Sequence, residues 1–147
     1  MDAIDQKILN LLNLNARITN SEIGKNIDMT SAGVAERIKK MERNDLITSY
    51  ETRINHRCAG VDFTTLILVS SDEKVGETAV GHKLAELDEV QEVHYLTGEF
   101  CYLIKVRVKD SDKLTEFLIK VGKIPNIRDT RAMVVLDTIK ESLKLKI

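Results

Sequence analysis

The sequence predicts an α+β chain in two parts, all-helical first and mixed second. Three observations predict it. Apolar residues recur with a period near 3.6 up to residue 47, the pattern of helices that bury one face. From residue 49 the pattern changes to short β-rich and alternating runs, as in strands. From residue 63 those runs and two further helical stretches follow in the order βαββαβ.

In the first part, Ile4, Ile8, Leu11 and Leu12 form the apolar stripe of a first helix, which residues 13–18 interrupt. Thr19-Asn20-Ser21-Glu22 is a capping-box pattern: the Thr19 oxygen accepts from an amide at Glu22, whose carboxylate reaches back to the Thr19 amide. It starts a short second helix that buries Ile23 and Ile27. Gly24 costs that helix about 1 kcal/mol against alanine, and its small size lets a crossing helix come close. Asp28-Met29 makes a turn, and Thr30 caps a third helix whose inward stripe is Val34, Ile38 and Met41. That helix ends near Asn44-Asp45, and Leu46 and Ile47 return to the core. Three short helices, the last two joined by a tight turn, make residues 1–47 a helix-turn-helix domain of winged-helix-like type.

Residues 48–62 read as a linker strand (49–54) and hinge. Residues 63–147 read as a ferredoxin-like βαββαβ domain: strand 63–70, helix 75–87, strand 90–96, a turn at Thr97-Gly98-Glu99, strand 100–108, a helix capped by Ser111, a turn at Pro125-Asn126 and a last strand 130–139. Tyr102, Ile104, Val106 and Val108 share one face of their strand, and Leu114, Phe117, Leu118 and Val121 form the stripe of the second helix. Cys101, Leu103, Val134 and Leu136 are assigned to the other sheet face, too apolar to lie open, which predicts dimerisation through the sheets. Residues 141–147 form a short tail that helps an interface.

Composition narrows the function. With 147 residues and 43% hydrophobic residues the chain can build its own core. One proline and 31% charged residues argue against wholesale disorder. No apolar run approaches the roughly 20 residues that cross a bilayer, so no membrane partner is expected. The opening Met1-Asp2-Ala3-Ile4-Asp5 is acidic where a secretory signal needs positive charge, so a cytoplasmic location is expected. With 22 basic and 23 acidic residues, any nucleic-acid interface must come from local placement of charge.

That placement is on the third helix. Thr30, Ser31, Ala32 and Ala35, followed by Glu36 and Lys39, lie where a recognition helix meets base edges of double-stranded DNA. Threonine and serine can bond several bases, and alanine can touch a thymine methyl. Arg37, Lys39, Lys40 and Arg43 are the phosphate candidates, with Arg17, Lys25 and Arg53 behind them. Two alternatives stay open: Glu36 and Glu42 interleave the cations as on a solvated face, and Arg37 can instead pair with Glu42 or Asp5 to hold the fold.

An enzyme would use Cys58 or Cys101 with His56, His82 or His94. No third, orienting group accompanies any such pair, and neither metal-ligand nor C-x-x-C spacing is present. No catalytic residue, metal or cofactor is therefore assigned, and both cysteines are expected to be free thiols.

Several motifs in order carry a resemblance. Asp2-x-x-Asp5-x-x-Ile8-Leu9-x-x-Leu12 with Asn15-Ala16-Arg17, then Ile23-Gly24-x-x-Ile27-x-Met29-Thr30-x-x-x-Val34-x-x-Arg37-Ile38-x-x-Met41-Glu42, resemble the first helix and helix-turn-helix of the Lrp/AsnC (leucine-responsive, feast/famine) regulators. Leu46-Ile47-x-x-Tyr50, Thr97-Gly98-x-x-x-Tyr102 and Ile124-Pro125-Asn126-Ile127-x-x-Thr130-Arg131 continue it through nearly the whole chain. The resemblance implies a nucleoid-associated transcriptional regulator that binds DNA. It also implies a homodimer, assembling to a higher oligomer such as an octamer, that senses an amino acid or related metabolite. The implied effector residues are Thr97, Gly98, Glu99, Cys101, Thr130, Ala132 and Val134. Three positions depart from the family pattern: Asp45 stands for a usual glycine, Cys101 for a frequent aspartate and Ala132 for a common threonine or serine.

Overall fold

The computed structural model describes residues 1–145. Residues 146 and 147, which end both the predicted 63–147 domain and the predicted tail, lie outside the described residues. The chain divides into two compact units, Met1–Arg53 with the tail from Lys140, and Ile54–Ile139.

The first unit contains helices α1 (Ala3–Leu14), α2 (Asn20–Ile27) and α3 (Ser31–Arg43). All three are capped by their own sequence. Asp2 accepts from the Ile4 and Asp5 amides while Asp5 bonds back to the Asp2 amide, a capping box at α1. Thr19 and Glu22 make the predicted box at α2, and Thr30 accepts from Gly33 at α3. Ile8, Leu9, Ile23, Val34 and Met41 form the core, with Ile4, Leu11, Leu12, Ile27 and Ile38 packed around it. Gly24 has a different reason from the one predicted. A Cβ there would meet the Met29 carbonyl oxygen at 2.4 Å, so it is the α2–α3 turn, rather than a crossing helix, that comes close. Asp28 takes left-handed backbone at φ 57°, and the Met29 amide bonds Gly24 O at 2.9 Å, closing that turn. In the tail, Arg53 donates to the Glu141 carboxylate at 3.1 Å, and the Asn13 side-chain amide donates to Leu145 O at 3.1 Å.

The second unit is β1 (Phe63–Ser71), α4 (Ala79–Ala85), β2 (Val90–Tyr95), β3 (Tyr102–Val108), α5 (Ser111–Gly122) and β4 (Ile127–Val134). The strands form one antiparallel sheet in the order β2-β3-β1-β4, the ferredoxin-like arrangement. Ile67, Val69, Tyr102, Ile104 and Val106 pack under Val80 and Leu84 of α4 and Leu114, Phe117 and Val121 of α5. These strands meet helices on one face only.

Several expectations are corrected. Residues 49–54 form no strand, because no neighbouring strand among the described residues supplies a ladder for them. The first helix of the unit starts at Ala79 rather than 75: Gly76 takes φ 91°, which helix does not allow, and Val75 is fully exposed. Asp110, not Ser111, caps α5 by accepting from Lys113. The last strand begins at Ile127, directly after Asn126 at φ 70°, and ends at Val134. Its register also reverses one assignment. Val134 pairs with Thr65, so it belongs to the helix-covered side, and Leu136 lies beyond the strand. Cys101 precedes β3. The open face carries Leu103, as expected, together with Leu66, Leu68 and Met133, paired as Leu66–Met133 and Leu68–Leu103.

Candidate functional site

Helix geometry sorts the predicted DNA-contacting residues of α3. At about 100° per residue, Val34, Ile38 and Met41 face the core. The opposite line is Ala32, Glu36, Lys39 and Arg43, all exposed. Ser31 and half-buried Ala35 flank it on one side, and exposed Lys40 on the other. Thr30 spends its hydroxyl on the Gly33 amide at 3.1 Å, fixing the helix start.

Arg37 is set apart from the other cations. Its Nη1 donates to Asp2 Oδ2 at 2.8 Å and to Asp5 Oδ1 at 2.7 Å, tying α3 to the N-terminus of α1. The Asp5 amide, then the Arg37 guanidinium, hold the Asp2 carboxyl down at about 2. The Asp2 amide and Arg37 likewise hold Asp5 below the ordinary carboxylate range. A groove beside this cluster is lined by Asp2, Asp5, Met29, Gly33, Glu36, Arg37 and Lys40. On the far flank Tyr50 donates to Glu42 Oε1 at 2.9 Å. Lys39, Lys40 and Arg43 make no ion pair or hydrogen bond among the described residues.

The predicted effector residues fall into two groups. Thr97, Gly98 and Glu99 are exposed in the loop between β2 and β3, which the Leu96 amide closes by donating to Cys101 O at 2.7 Å. Gly98 takes φ 124°, left-handed space that favours glycine. Cys101 turns its sulfur toward β1, where Sγ accepts from the Ser71 amide at 3.2 Å and lies 3.3 Å from Ser71 Oγ. On β4, Thr130 stands in the same row as Val69 and Tyr102, at the loop's end of the sheet. Ala132 is in the next inward row with Ile67, and Val134 in the one after with Thr65. Four residues of strand put Val134 about 13 Å along from Thr130. The structure thus brings Thr130 toward the loop end and leaves Val134 well away from it.

Sequence reasoning missed the groups that brace this end. Glu73 accepts from Tyr102 Oη at 2.7 Å, from Ser71 Oγ at 3.1 Å and from the Val80 amide at 2.9 Å, so it caps α4 from outside the helix. Burial alone would raise Glu73; the Val80, Tyr102 and Ser71 bonds outweigh it and hold the carboxyl low. Burial and the facing Glu73 push the Tyr102 phenol well up. The Arg131 guanidinium stacks 5.0 Å over the Phe100 ring, linking β4 to the loop. Nothing in local spacing marks Glu73, since its partners are up to 29 residues away.

Known proteins with this arrangement exist. Residues 1–42 match the AsnC-type helix-turn-helix domain and residues 64–145 the Lrp/AsnC ligand binding domain. The HTH-type transcriptional regulator FL11 of Pyrococcus abyssi is 32% identical over all of this chain and 97% of its own length. The leucine-responsive regulatory protein of Escherichia coli is 32% identical over all of this chain and 92% of its own. Among solved structures, AsnC of E. coli superposes with a TM-score of 0.88 at 29% identity, covering 99% of both chains. A Neisseria meningitidis transcriptional regulator, solved as an L-Met complex, shares the fold with a TM-score of 0.90 at 24% identity over 99% of this chain and 96% of its own. Two capped helices around a tight turn, an open-faced βαββαβ sheet and these full-length likenesses agree: the chain belongs to the Lrp/AsnC family of DNA-binding transcriptional regulators.

Proposed function

We propose that α3 lies in the major groove of double-stranded DNA with Ala32, Glu36, Lys39 and Arg43 outermost. Ser31 and Ala35 then touch base edges, and Lys39, Lys40 and Arg43 neutralise phosphates. Arg37 serves the site indirectly, by holding α3 against Asp2 and Asp5. The observation that carries this reading is the contrast between bonded Arg37 and three exposed cations on the same helix that have no partner among the described residues. Electrophoretic mobility shift at low salt tests it. The wild type retards duplex DNA, and a Lys39→Ala/Lys40→Ala/Arg43→Ala variant with unchanged circular dichroism does not; equal retardation by both overturns the assignment.

The second unit senses an amino acid or related metabolite at the Thr97–Gly98–Glu99 loop, with Cys101, Thr130 and Ala132 shaping the side-chain end and Val134 too far along β4 to take part. The loop's open backbone at Gly98 suits a carboxylate, and Glu99 suits an α-ammonium. The L-Met complex of the Neisseria regulator supports this reading. The apolar open sheet face suits a second copy of the chain, giving a homodimer that assembles further, as in an octamer. An effector that prefers one assembly then shifts DNA affinity by linkage. This chemistry needs no catalytic residue, and a cytoplasmic, nucleoid-associated location fits it.

A further inference from the structure

Glu36 is the one acidic side chain on the outward line of α3, between Ala32 and the Lys39 and Arg43 cations. It is exposed and makes no hydrogen bond or ion pair among the described residues, although Lys40 lies one turn away at the i+4 position. It is the sixth residue of its helix, beyond the first turn where an acid gains from the helix dipole. The fold therefore gives Glu36 no stabilising task that the contacts reveal. Beside a polyanion, an unpaired carboxylate opposes binding unless a base donor meets it.

We propose that Glu36 sets base preference by accepting a hydrogen bond from the exocyclic N4 amine of a cytosine in the major groove; this rests on the reading of α3 as the recognition helix. Cytosine and adenine are the bases with a major-groove donor. Adenine places its N7 acceptor beside the N6 donor, so a carboxylate that reaches N6 also faces a lone pair. Cytosine offers its donor without that neighbour, and thymine and guanine offer acceptors only. The other base-facing side chains, Ser31, Ala32 and Ala35, cannot make a fixed charged contact, so Glu36 has the larger influence on which base pair is chosen. Its repulsion of phosphates adds to the discrimination, because it weakens sites that lack the cytosine.

The test is selection from a randomised duplex pool by the full chain, with sequencing of the bound fraction. The wild type is expected to enrich cytosine about tenfold at one position of each half-site, near the low end of what one mismatched base pair costs. Glu36→Gln is expected to move that position toward adenine, whose N6 and N7 suit an amide. Glu36→Ala is expected to level it while raising affinity for unselected DNA. Circular dichroism and melting midpoint check that both variants fold. Wild-type base preferences retained at every position in Glu36→Ala and Glu36→Gln would overturn the inference and leave α3 as the DNA helix. A wild type that retains no duplex even at low salt would overturn the α3 reading itself, and the inference with it.

Discussion

The Arg37 guanidinium lies 2.7 Å from the Asp5 carboxylate, 32 residues back along the chain, and the same nitrogen is 2.8 Å from Asp2. A side chain that sequence reasoning offers equally to phosphate or to the fold is thus engaged by the fold. Asp2 and Asp5 are also the capping box of α1, so one cluster fixes both the start of α1 and the lie of α3.

That coupling predicts a pH dependence. Asp2 is held at about 2 against an ordinary 3.8, so it binds its proton more weakly folded than unfolded. Its stabilisation is complete above the ordinary value and is lost as pH falls through 3.8 toward about 2. Arg37→Ala lowers the melting midpoint by a few degrees near neutrality, and the gap to wild type narrows below about pH 4. Midpoints measured across that range check it; a gap of constant size down to about pH 2 would count against the cluster.

Gly24→Ala sets two effects against each other. Alanine gains about 1 kcal/mol in helix propensity. Its Cβ, however, would sit 2.4 Å from Met29 O, a backbone atom of the turn. Such overpacking costs about 1–3 kcal/mol, so net destabilisation is expected in urea unfolding. A variant more stable than wild type would show that the turn gives way freely.

The open sheet face predicts the dimer contact. Leu68→Glu places a charge between Leu103 and Arg131 in the middle of that face. The dimer dissociation constant by sedimentation should rise on the order of a hundredfold, with circular dichroism unchanged. Undisturbed dimers would move the interface elsewhere.

Ligand sensing predicts a thermal shift. An amino acid at a hundredfold excess over its Kd adds about 2.7 kcal/mol to the native state. Of the twenty common amino acids, one or one chemical group should raise the midpoint, and Gly98→Val should abolish that response because valine disfavours φ 124°. Silence from all twenty in a cooperatively melting protein would rule against amino-acid sensing.

The sequence made the helical unit readable because its signals are local. Thr19 with Glu22 and Thr30 with Gly33 lie within one turn, and the Val34–Met41 stripe needs no distant partner. The Tyr102–Val108 alternation is equally plain, since a strand with one buried face shows it directly. What depended on distant partners was misread. Residues 49–54 have strand-like composition but, among the described residues, no neighbour to pair with. The edge strand β4 is exposed at most positions, so alternation does not mark its ends, and only pairing with β1 reveals that Val134 lies on the helix-covered side and Met133 on the open one. At the sites, the cation cluster was visible in composition, whereas the withdrawal of Arg37 needed the fold of α1 against α3.

The most direct test of the account is the salt dependence of DNA binding by Lys39→Ala/Lys40→Ala, measured by fluorescence anisotropy beside the wild type. If both lysines neutralise phosphates, the slope of log affinity against log salt falls in magnitude by about 1.8. An unchanged slope would remove Lys39 and Lys40 from the phosphate contacts and contradict the account.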